Sequence, residues 1–442
     1  MESRDFSSLP LLRTDSYGKI FLYCTHNDCA CVPRHTIRMN EPVRPDKLLD
    51  AVKTTLLRFP HMMLGIEATA TQFIYRLNVQ EPVVLPFDGL WTRYTIGSSD
   101  THGYLFLVGY QGDKIYMEYQ HSICDGRGFE EFIRCVLFNY LQLCGKPVVN
   151  DGTVRCLDTA YTFAESEDGY EQLDESYNSE GIYAKSEAVH AAELTDLGDQ
   201  PEIISELTFP FQQLHAAARE IGASPLSILA PLFSRVFYRR FGAGQDKPVI
   251  SQIPVDLRPY LPSPTTRYFI CFLDLPYEAA YDAMPVPEVC RLTKQFLKDQ
   301  MEPEKLLYRA KRASDVCRAL HERDLPLAEK IVEGGKTSKD FVLEDSFLIT
   351  NVGEFRVAES MKPYILDYGA ILPSAAQPCA MLVSSYNGTM KLSIAQRGHD
   401  LALATGMIQQ LSDIGVTAQI NSYPFHVTRY SGMEAAAALP TL

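Results

Sequence analysis

The residues with the clearest chemical potential lie in one short run, His121-Ser122-Ile123-Cys124-Asp125-Gly126. A neutral imidazole has a pKa of about 6.5, so at neutral pH it can accept a proton from a hydroxyl or an amine. The aspartate four residues later and the glycine after it complete an HxxxDG pattern. For His121 alone, the simpler interpretation is a ring that is hydrogen-bonded at the end of a strand. The residues around the run favour a general base.

The flanking segments predict a strand and a helix that hold this run in place. Residues 114–120 alternate, with Ile115, Met117 and Tyr119 on one face, as in a half-buried strand. A helix over about residues 129–143 follows and ends at Gly145 and Pro147. A side chain at the end of a strand is rigidly positioned, which a catalytic histidine requires.

The remaining pattern is a mixed alternation of strands and helices over 442 residues, a length that suits two domains of about 200 residues each. Strands are predicted at residues 19–25, 34–39, 72–77, 104–110, 203–209, 249–254, 268–275, 347–351, 380–385 and 390–395. Helices are predicted at residues 45–59, 212–221, 225–241, 286–300, 303–321 and 401–414. Residues 165–180 contain seven acidic and no basic side chains, which predicts a solvated linker or a covering loop between the halves.

The composition excludes several classes of function. A net charge of −14 opposes nonspecific binding to nucleic acid or to an anionic membrane surface. No apolar run reaches the roughly 20 residues of a membrane span, and the first ten residues lack the apolar stretch of a signal peptide. The 11 cysteines form no CxxC pair, so we expect reduced thiols in the cytoplasm and neither a disulfide framework nor a metal site. No GxSxG, Walker, GxGxxG or HExxH motif occurs.

The HxxxDG run resembles the active-site motif of the superfamily that contains condensation domains, chloramphenicol acetyltransferase, alcohol acyltransferases and polyketide-associated acyltransferases. Three further elements resemble those of the family and occur in the family order. They are Arg58-Phe59-Pro60 at the end of an early helix, residues 254–261 (PVDLRPYL), and Thr350-Asn351-Val352-Gly353. Tyr386-Asn387-Gly388 precedes a final strand, also as in the family. The resemblance therefore covers essentially the whole chain.

Two positions depart from the family pattern. The family motif often begins with two histidines, and here Gln120 replaces the first of them. The second is the catalytic one in the family, so the departure leaves that role intact. Tyr268 stands where related chains often have asparagine after a Thr-x-Arg run, and we expect it to change the shape of the site.

The resemblance implies a role for each matching residue. His121 would deprotonate the acceptor, which would attack a thioester carbonyl directly. Asp125 would face away from the substrate and pair with Arg258, and Gly126 would keep a channel open. Thr350 and Asn351 are candidates for binding the developing oxyanion or the substrate. No metal ligand and no permanently bound cofactor are expected; acyl-coenzyme A or a phosphopantetheine thioester would be a co-substrate.

The resemblance also implies an α/β fold of two chloramphenicol-acetyltransferase-like subdomains with mixed sheets, arranged as a V-shaped pseudo-dimer. We expect the N-terminal subdomain to span residues 1–165, the acidic linker or covering loop 166–200, and the C-terminal subdomain 201–442. The expected activity is acyl transfer to a hydroxyl acceptor in secondary metabolism, by a cytoplasmic monomer that uses acyl-coenzyme A or an acyl carrier protein. Amide formation by a free-standing condensation enzyme, and a non-catalytic docking module, remain as alternatives.

One predicted helix has a basic character that allows two interpretations. Its cations are Lys305, Arg309, Lys311, Arg312 and Arg318. They could form a solvated face, or they could bind the phosphates of coenzyme A or phosphopantetheine.

Overall fold

A computed structural model describes residues 15–23, 31–87, 94–191, 194, 201–338, 345–374, 377–398 and 400–431. The helices are α1 (Ile20–Tyr23), α2 (Pro45–Arg58), α3 (Gly126–Leu143), α4 (Phe211–Ile221), α5 (Pro225–Phe237), α6 (Val286–Gln300), α7 (Pro303–Glu322), α8 (Leu327–Ser338) and α9 (Ala402–Asp413). The strands are β1 (Arg34–Met39), β2 (Leu64–Ala68), β3 (Phe73–Leu77), β4 (Val84–Pro86), β5 (Thr95–Ile96), β6 (Phe106–Gln111), β7 (Lys114–Tyr119), β8 (Glu202–Pro210), β9 (Val249–Asp256), β10 (Ile270–Tyr277), β11 (Phe347–Glu354), β12 (Ile365–Ile371), β13 (Cys379–Tyr386), β14 (Thr389–Gln396), β15 (Gln419–Phe425) and β16 (Arg429–Tyr430).

Two large mixed sheets organise these elements. The first has the strand order β12-β1-β7-β6-β4, and the second has the order β10-β9-β11-β13-β14-β8-β15. Both combine parallel pairs, such as β4 with β6 and β11 with β13, with antiparallel ones. Helices α2 and α3 pack beside the first sheet, and each sheet belongs to its own large hydrophobic core. The predicted α/β class with mixed sheets is confirmed.

The two halves exchange segments of chain. Strand β12, from the C-terminal part, pairs antiparallel with β1 in the first sheet, with His35 opposite Ala370. In the other direction, Tyr17 and Leu22 near the N-terminus are buried in the core of the second half. The predicted boundaries at residues 165 and 200 and the V shape stay predictions, and the two subdomains interlock rather than simply follow one another.

The helix after the HxxxDG run begins earlier than predicted. We expected it to start at about residue 129, but α3 starts at Gly126 because the Asp125 side chain caps it. Asp125 Oδ1 accepts a hydrogen bond from the Gly128 backbone N–H at 2.8 Å, which satisfies one of the free donors at the helix start. At the other end, Gly145 adopts a left-handed conformation (φ +76°), as the predicted stop requires.

The strand predicted at residues 19–25 is wrong over the residues that the structure describes. Residues 20–23 form the single helical turn α1, and residues 24 and 25 lie outside the described part of the chain. Asp15 Oδ1 accepts a hydrogen bond from the Gly18 backbone N–H, and backbone bonds from Ile20 to Tyr17 and from Phe21 to Gly18 continue the turn. A short apolar run suits a strand and a buried helical turn equally, so its pattern could not decide.

The start of the acidic segment is packed rather than solvated. Glu165 is buried and receives two hydrogen bonds from the guanidinium of Arg58, at 3.0 and 3.1 Å. Tyr170 is also buried, and its hydroxyl donates to the Ile270 carbonyl oxygen at 2.6 Å. These contacts join the segment to both halves and favour a covering loop over a solvated linker.

Within the described ranges no single helix is both long and apolar enough to cross a membrane. Among the residues that the structure describes, one pair of helical segments, α4 with residues 225–242, meets the length and composition required, and that pair is bent by 90°.

Candidate active site

A tight turn holds His121 between β7 and α3. The Ser122 backbone N–H donates to Gln120 Oε1 at 2.7 Å, and the Tyr75 hydroxyl donates to the Ser122 carbonyl oxygen at 2.6 Å. Gln120 also donates through Nε2 to the Phe21 carbonyl oxygen at 3.0 Å. The glutamine that replaces the family's first histidine therefore ties the turn to the N-terminal segment.

The surroundings of the imidazole determine which ring nitrogen can act as a base. His121 Nδ1 lies 3.3 Å from the Cys124 carbonyl oxygen, which can only accept a hydrogen bond. In the neutral ring, Nδ1 therefore carries the proton and Nε2 keeps its lone pair. The ring stacks on Phe21 at a centroid distance of 5.0 Å and meets Tyr119 and Tyr268 edge-on at 5.0 and 5.8 Å.

Burial lowers the pKa of His121 to about 4, because the charged form of the ring loses hydration. The hydrogen bond to the Cys124 carbonyl and the negative charge of Asp125 act in the opposite direction and limit the shift. The imidazole is consequently neutral at pH 7. It can accept a proton without first losing one.

His121 lines a cavity of about 620 Å³ that residues of both halves enclose. On the first half the lining includes Tyr119 and Gly126, and on the second half it includes Tyr268, Thr350 and Val352. Such a volume suits a small-molecule site. The histidine ring is thus accessible from the cavity and close to the second half.

Asp125 also lines the cavity, and its carboxylate joins the two halves. Its Oδ2 accepts hydrogen bonds from Arg258 Nη1 at 2.8 Å and from the Phe269 backbone N–H at 3.0 Å. Its Oδ1 accepts the bond from Gly128 described above. The expected ion pair with Arg258 is present, and both carboxylate oxygens have partners.

Arg258 is equally well satisfied. Its guanidinium donates to the carbonyl oxygens of Thr265 and Arg267 at 2.9 and 2.8 Å, and to Asp256 Oδ1 at 2.9 Å. A buried charge needs such partners, since isolation in a low dielectric is costly. The ion pair of Asp125 and Arg258 therefore fits a structural role at the junction, the contact between the first and the second half of the protein.

The two glycines at the start of α3 differ in how much space surrounds them. A Cβ atom on Gly126 would lie 3.6 Å from both Tyr119 Oη and Val352 Cγ1, which is ordinary contact. A Cβ atom on Gly128 would lie 1.9 Å from the Thr266 carbonyl oxygen, so no side chain fits there. Gly128 thus permits the close approach of the two halves, while Gly126 borders the cavity.

Thr350 and Asn351 lie on β11 and line the same cavity as His121. Asn351 is exposed, and its Oδ1 accepts a hydrogen bond from the Gly353 backbone N–H at 2.9 Å. The structure brings both residues to the site, and their role as oxyanion or substrate contacts stays a prediction.

The cations of the basic helix α7 are largely engaged within the protein. Lys305 pairs with Asp299 at 2.8 Å, and Lys311 pairs with Asp315 at 2.7 Å. Arg309 donates to Gln300 Oε1, and Arg318 donates to Ser16 Oγ. This arrangement does not favour the phosphate-binding interpretation.

Two features of the site were not predicted from the sequence. Phe21 stacks on the imidazole from a segment predicted as a strand. His35 lines the cavity and reaches Glu130 through Tyr368. The sequence holds one indication of the chain from His35 to Glu130. Glu130 is a charged residue among Phe129, Phe132 and Ile133 on the apolar face of α3, and a buried charge needs polar partners.

No group of three or more His, Cys, Asp or Glu side chains that could hold a metal ion occurs within the residues the structure describes.

Comparison with known proteins gives matches in structure only. No protein-family model matches the chain, and no curated protein matches its sequence. Polyketide synthase associated protein 5 from Mycobacterium tuberculosis superposes with a TM-score of 0.61 and 14% identity, over 91% of this chain and 97% of that one. TRI101 of F. sporotrichioides, complexed with coenzyme A and T-2, gives a TM-score of 0.58 and 12% identity, over 92% and 99%.

A third match is the starter condensation domain of rhizomide synthetase RzmA, a mutant in complex with C8-CoA. Its TM-score is 0.56 at 13% identity, over 88% of this chain and 89% of that one. At such identities the likeness concerns the fold. The chain therefore has the mixed α/β fold of the condensation-domain and chloramphenicol-acetyltransferase-like acyltransferases, as its HxxxDG run and accompanying elements predict.

Proposed function

We propose that this protein transfers an acyl group from a coenzyme A or carrier-protein thioester to a hydroxyl acceptor, with His121 as general base. The observation that carries the proposal is the contact of His121 Nδ1 with the Cys124 carbonyl oxygen, which leaves Nε2 to accept a proton, in a ring that lines a cavity enclosed by both halves. A base in this state can act on an acceptor and a thioester that meet in the cavity.

In the proposed reaction, Nε2 takes the proton of the acceptor hydroxyl as its oxygen attacks the thioester carbonyl carbon. A carbon–oxygen bond forms and a tetrahedral oxyanion results, with Thr350 and Asn351 as candidate hydrogen-bond donors. The carbon–sulfur bond then breaks, and the leaving thiolate takes the proton back from His121. The products are an ester and a free thiol, and the imidazole is neutral again.

The structural comparisons support this choice of substrates by analogy. The structures of TRI101 and of the rhizomide synthetase domain contain coenzyme A or C8-CoA, and the TRI101 structure also contains T-2 as a small molecule. By the same analogy the thioester would be a co-substrate rather than a resident cofactor. The single chain carries both halves of the proposed site, so a monomer would suffice.

The decisive experiment compares the wild type with His121→Ala, using acetyl-, hexanoyl- and octanoyl-coenzyme A with a panel of alcohols and amines. Thiol release is measured continuously, and mass spectrometry identifies the acylated product. Loss of a general base lowers the rate by about 10²- to 10⁴-fold. The surface variant His190→Ala serves as a control, because His190 is exposed.

Each outcome distinguishes between the candidate functions. Ester products that depend on His121 support the proposal, and a preference for amines identifies a condensation enzyme that forms amides. If His121→Ala retains the full transfer rate, the mechanism is wrong. If the wild type turns over no thioester with any acceptor, the protein is a non-catalytic docking module and not an acyltransferase.

A further inference from the structure

A second histidine lines the same cavity as His121. The side chain of His35 is only 1% exposed, yet it contributes to the cavity wall. It lies on β1, opposite Met117 of β7. Residues opposite one another in an antiparallel pair share a face of the sheet, so His35 lies on the face that also carries Tyr119. The Tyr119 ring is within 6.1 Å of His35 and 5.0 Å of His121, measured between ring centroids.

A chain of two hydrogen bonds fixes the protonation of His35. The Tyr368 hydroxyl donates to Glu130 Oε1 at 3.0 Å, so its oxygen is left to accept a bond from His35 Nδ1 at 2.8 Å. With Glu130 ionised, Nδ1 carries the imidazole proton and Nε2 keeps its lone pair. This is the tautomer that the Cys124 carbonyl imposes on His121.

The hydrogen-bonded chain is assembled from both parts of the protein. Tyr368 belongs to β12, the strand that the C-terminal part contributes to the first sheet, whereas Glu130 lies in the first turns of α3. Arg134 Nη1 lies 4.0 Å from the Glu130 carboxylate and favours its ionised form. Burial of a carboxylate and a tyrosine hydroxyl behind a histidine costs desolvation free energy that apolar side chains at these positions would not cost. Such an arrangement therefore indicates a role for the polar groups.

We infer that His35 binds the acceptor, and that the natural acceptor carries at least two hydrogen-bond donors, as a polyol or an amino alcohol does. One donor, the nucleophilic hydroxyl, lies at His121 Nε2, and a second hydroxyl or amino group donates to His35 Nε2. Tyr368 and Glu130 are positioning residues that keep His35 in the accepting tautomer. This inference rests on the proposed acyl transfer.

The test uses acyl transfer from hexanoyl-coenzyme A to cyclohexanol and to 1,2-, 1,3- and 1,4-cyclohexanediol. Assays are run at pH 8, because burial raises the pKa of Glu130 to about 7 and the carboxylate should be ionised. One additional hydrogen bond should favour the best diol over cyclohexanol by about 3- to 10-fold in kcat/KM. The spacing of the two hydroxyl groups in the preferred diol then reports the distance between His121 Nε2 and His35 Nε2.

Variants of His35 and Tyr368 separate binding of the acceptor from support of the fold. His35→Leu keeps a similar volume and should bring the ratio of kcat/KM for the best diol to kcat/KM for cyclohexanol down to about one, mainly through a higher KM for the diol. His35→Gln should restore part of the preference, because its Oε1 can accept a bond near the position of Nε2. Tyr368→Phe removes one oxygen and should weaken the preference even if the His35 variants fold poorly.

The results distinguish failure of this inference from failure of the proposed function. A diol preference that persists in His35→Leu and Tyr368→Phe overturns the inference. An equal loss with cyclohexanol and with every diol overturns it too, because it would make His35 a purely structural residue. No transfer to any alcohol by the wild type overturns the proposed function, and the inference with it.

Discussion

The two ends of the HxxxDG run use their polar atoms in opposite ways. At His121, one ring nitrogen is bound to a backbone carbonyl and the other is left for the cavity. At Asp125, four residues later, both oxygens are occupied by Gly128, Arg258 and Phe269. One short motif thus contains a residue suited to chemistry and another that holds the two halves together. Substitutions at the two ends should therefore affect different measurements.

Asp125→Ala should give the largest loss of stability. It leaves Arg258 buried with Asp256 as its remaining carboxylate partner and removes the cap of α3. Loss of one partner of a buried ion pair costs about 3 to 5 kcal/mol. Chemical denaturation should therefore show a clearly lower free energy of unfolding.

The matched control is Asp158→Ala, at an exposed aspartate, which should change the free energy of unfolding by less than about 0.5 kcal/mol. The division of roles within the motif would be disproved if Asp125→Ala kept its full stability but lost acyl transfer. In that case Asp125 would act with His121 in the chemistry.

Gly128→Ala and Gly126→Ala form a second matched pair. In an exposed helix, replacement of glycine by alanine usually stabilises by up to about 1 kcal/mol. At Gly128 the new methyl group would meet the Thr266 carbonyl oxygen at 1.9 Å, so we expect a loss of about 1 to 3 kcal/mol. Gly126→Ala should leave the melting temperature unchanged or slightly raised. Equal melting temperatures for the two variants would contradict the close contact between the halves.

Gly126→Leu tests the cavity rather than the junction. The side chain would grow from a point 3.6 Å from Tyr119 Oη and Val352 Cγ1, beside His121. Displacement of the acceptor by an ångström should lower kcat/KM by roughly 10- to 100-fold. Comparison of Gly126→Leu with Gly126→Ala in the same transfer assay checks this, and equal rates would show that the substrate does not pass Gly126.

The sequence predicts this site where the signal is local. The alternation of residues 114–120 and the glycines after His121 correspond to β7, the turn and α3, and the helix over residues 286–300 corresponds to α6 (Val286–Gln300). The contact of Asp125 with Arg258 is long-range, and it was expected only from the family resemblance.

Features that depend on contacts between residues far apart in the sequence could not be predicted from a local pattern. The apolar residues 20–23 allow a strand or a helical turn, and only the tertiary contacts of Tyr17 and Leu22 decide. The pairing of β12 with β1 in the first sheet brings together His35, Tyr368 and Glu130. No local spacing of residues in the sequence predicts this pairing. The acidic loop and the basic helix α7 each look solvated in the sequence, but Glu165 is buried against Arg58, and Lys305 of α7 is buried beside Asp299.

The pH dependence of transfer should separate a buried imidazole from an exposed one. Activity needs neutral His121, and burial lowers its pKa to about 4, so kcat for cyclohexanol, which has no second donor for His35, should vary less than about twofold between pH 7 and 5. Below about pH 4 it should fall about tenfold per pH unit, whereas an exposed histidine would lose activity from about pH 6.5. Circular dichroism at each pH confirms that the protein remains folded.

Because the charge of Asp125 raises the pKa of His121, Asp125→Asn should move this fall in activity to still lower pH. If it moves to higher pH instead, the charge at one end of the motif does not act on the imidazole at the other.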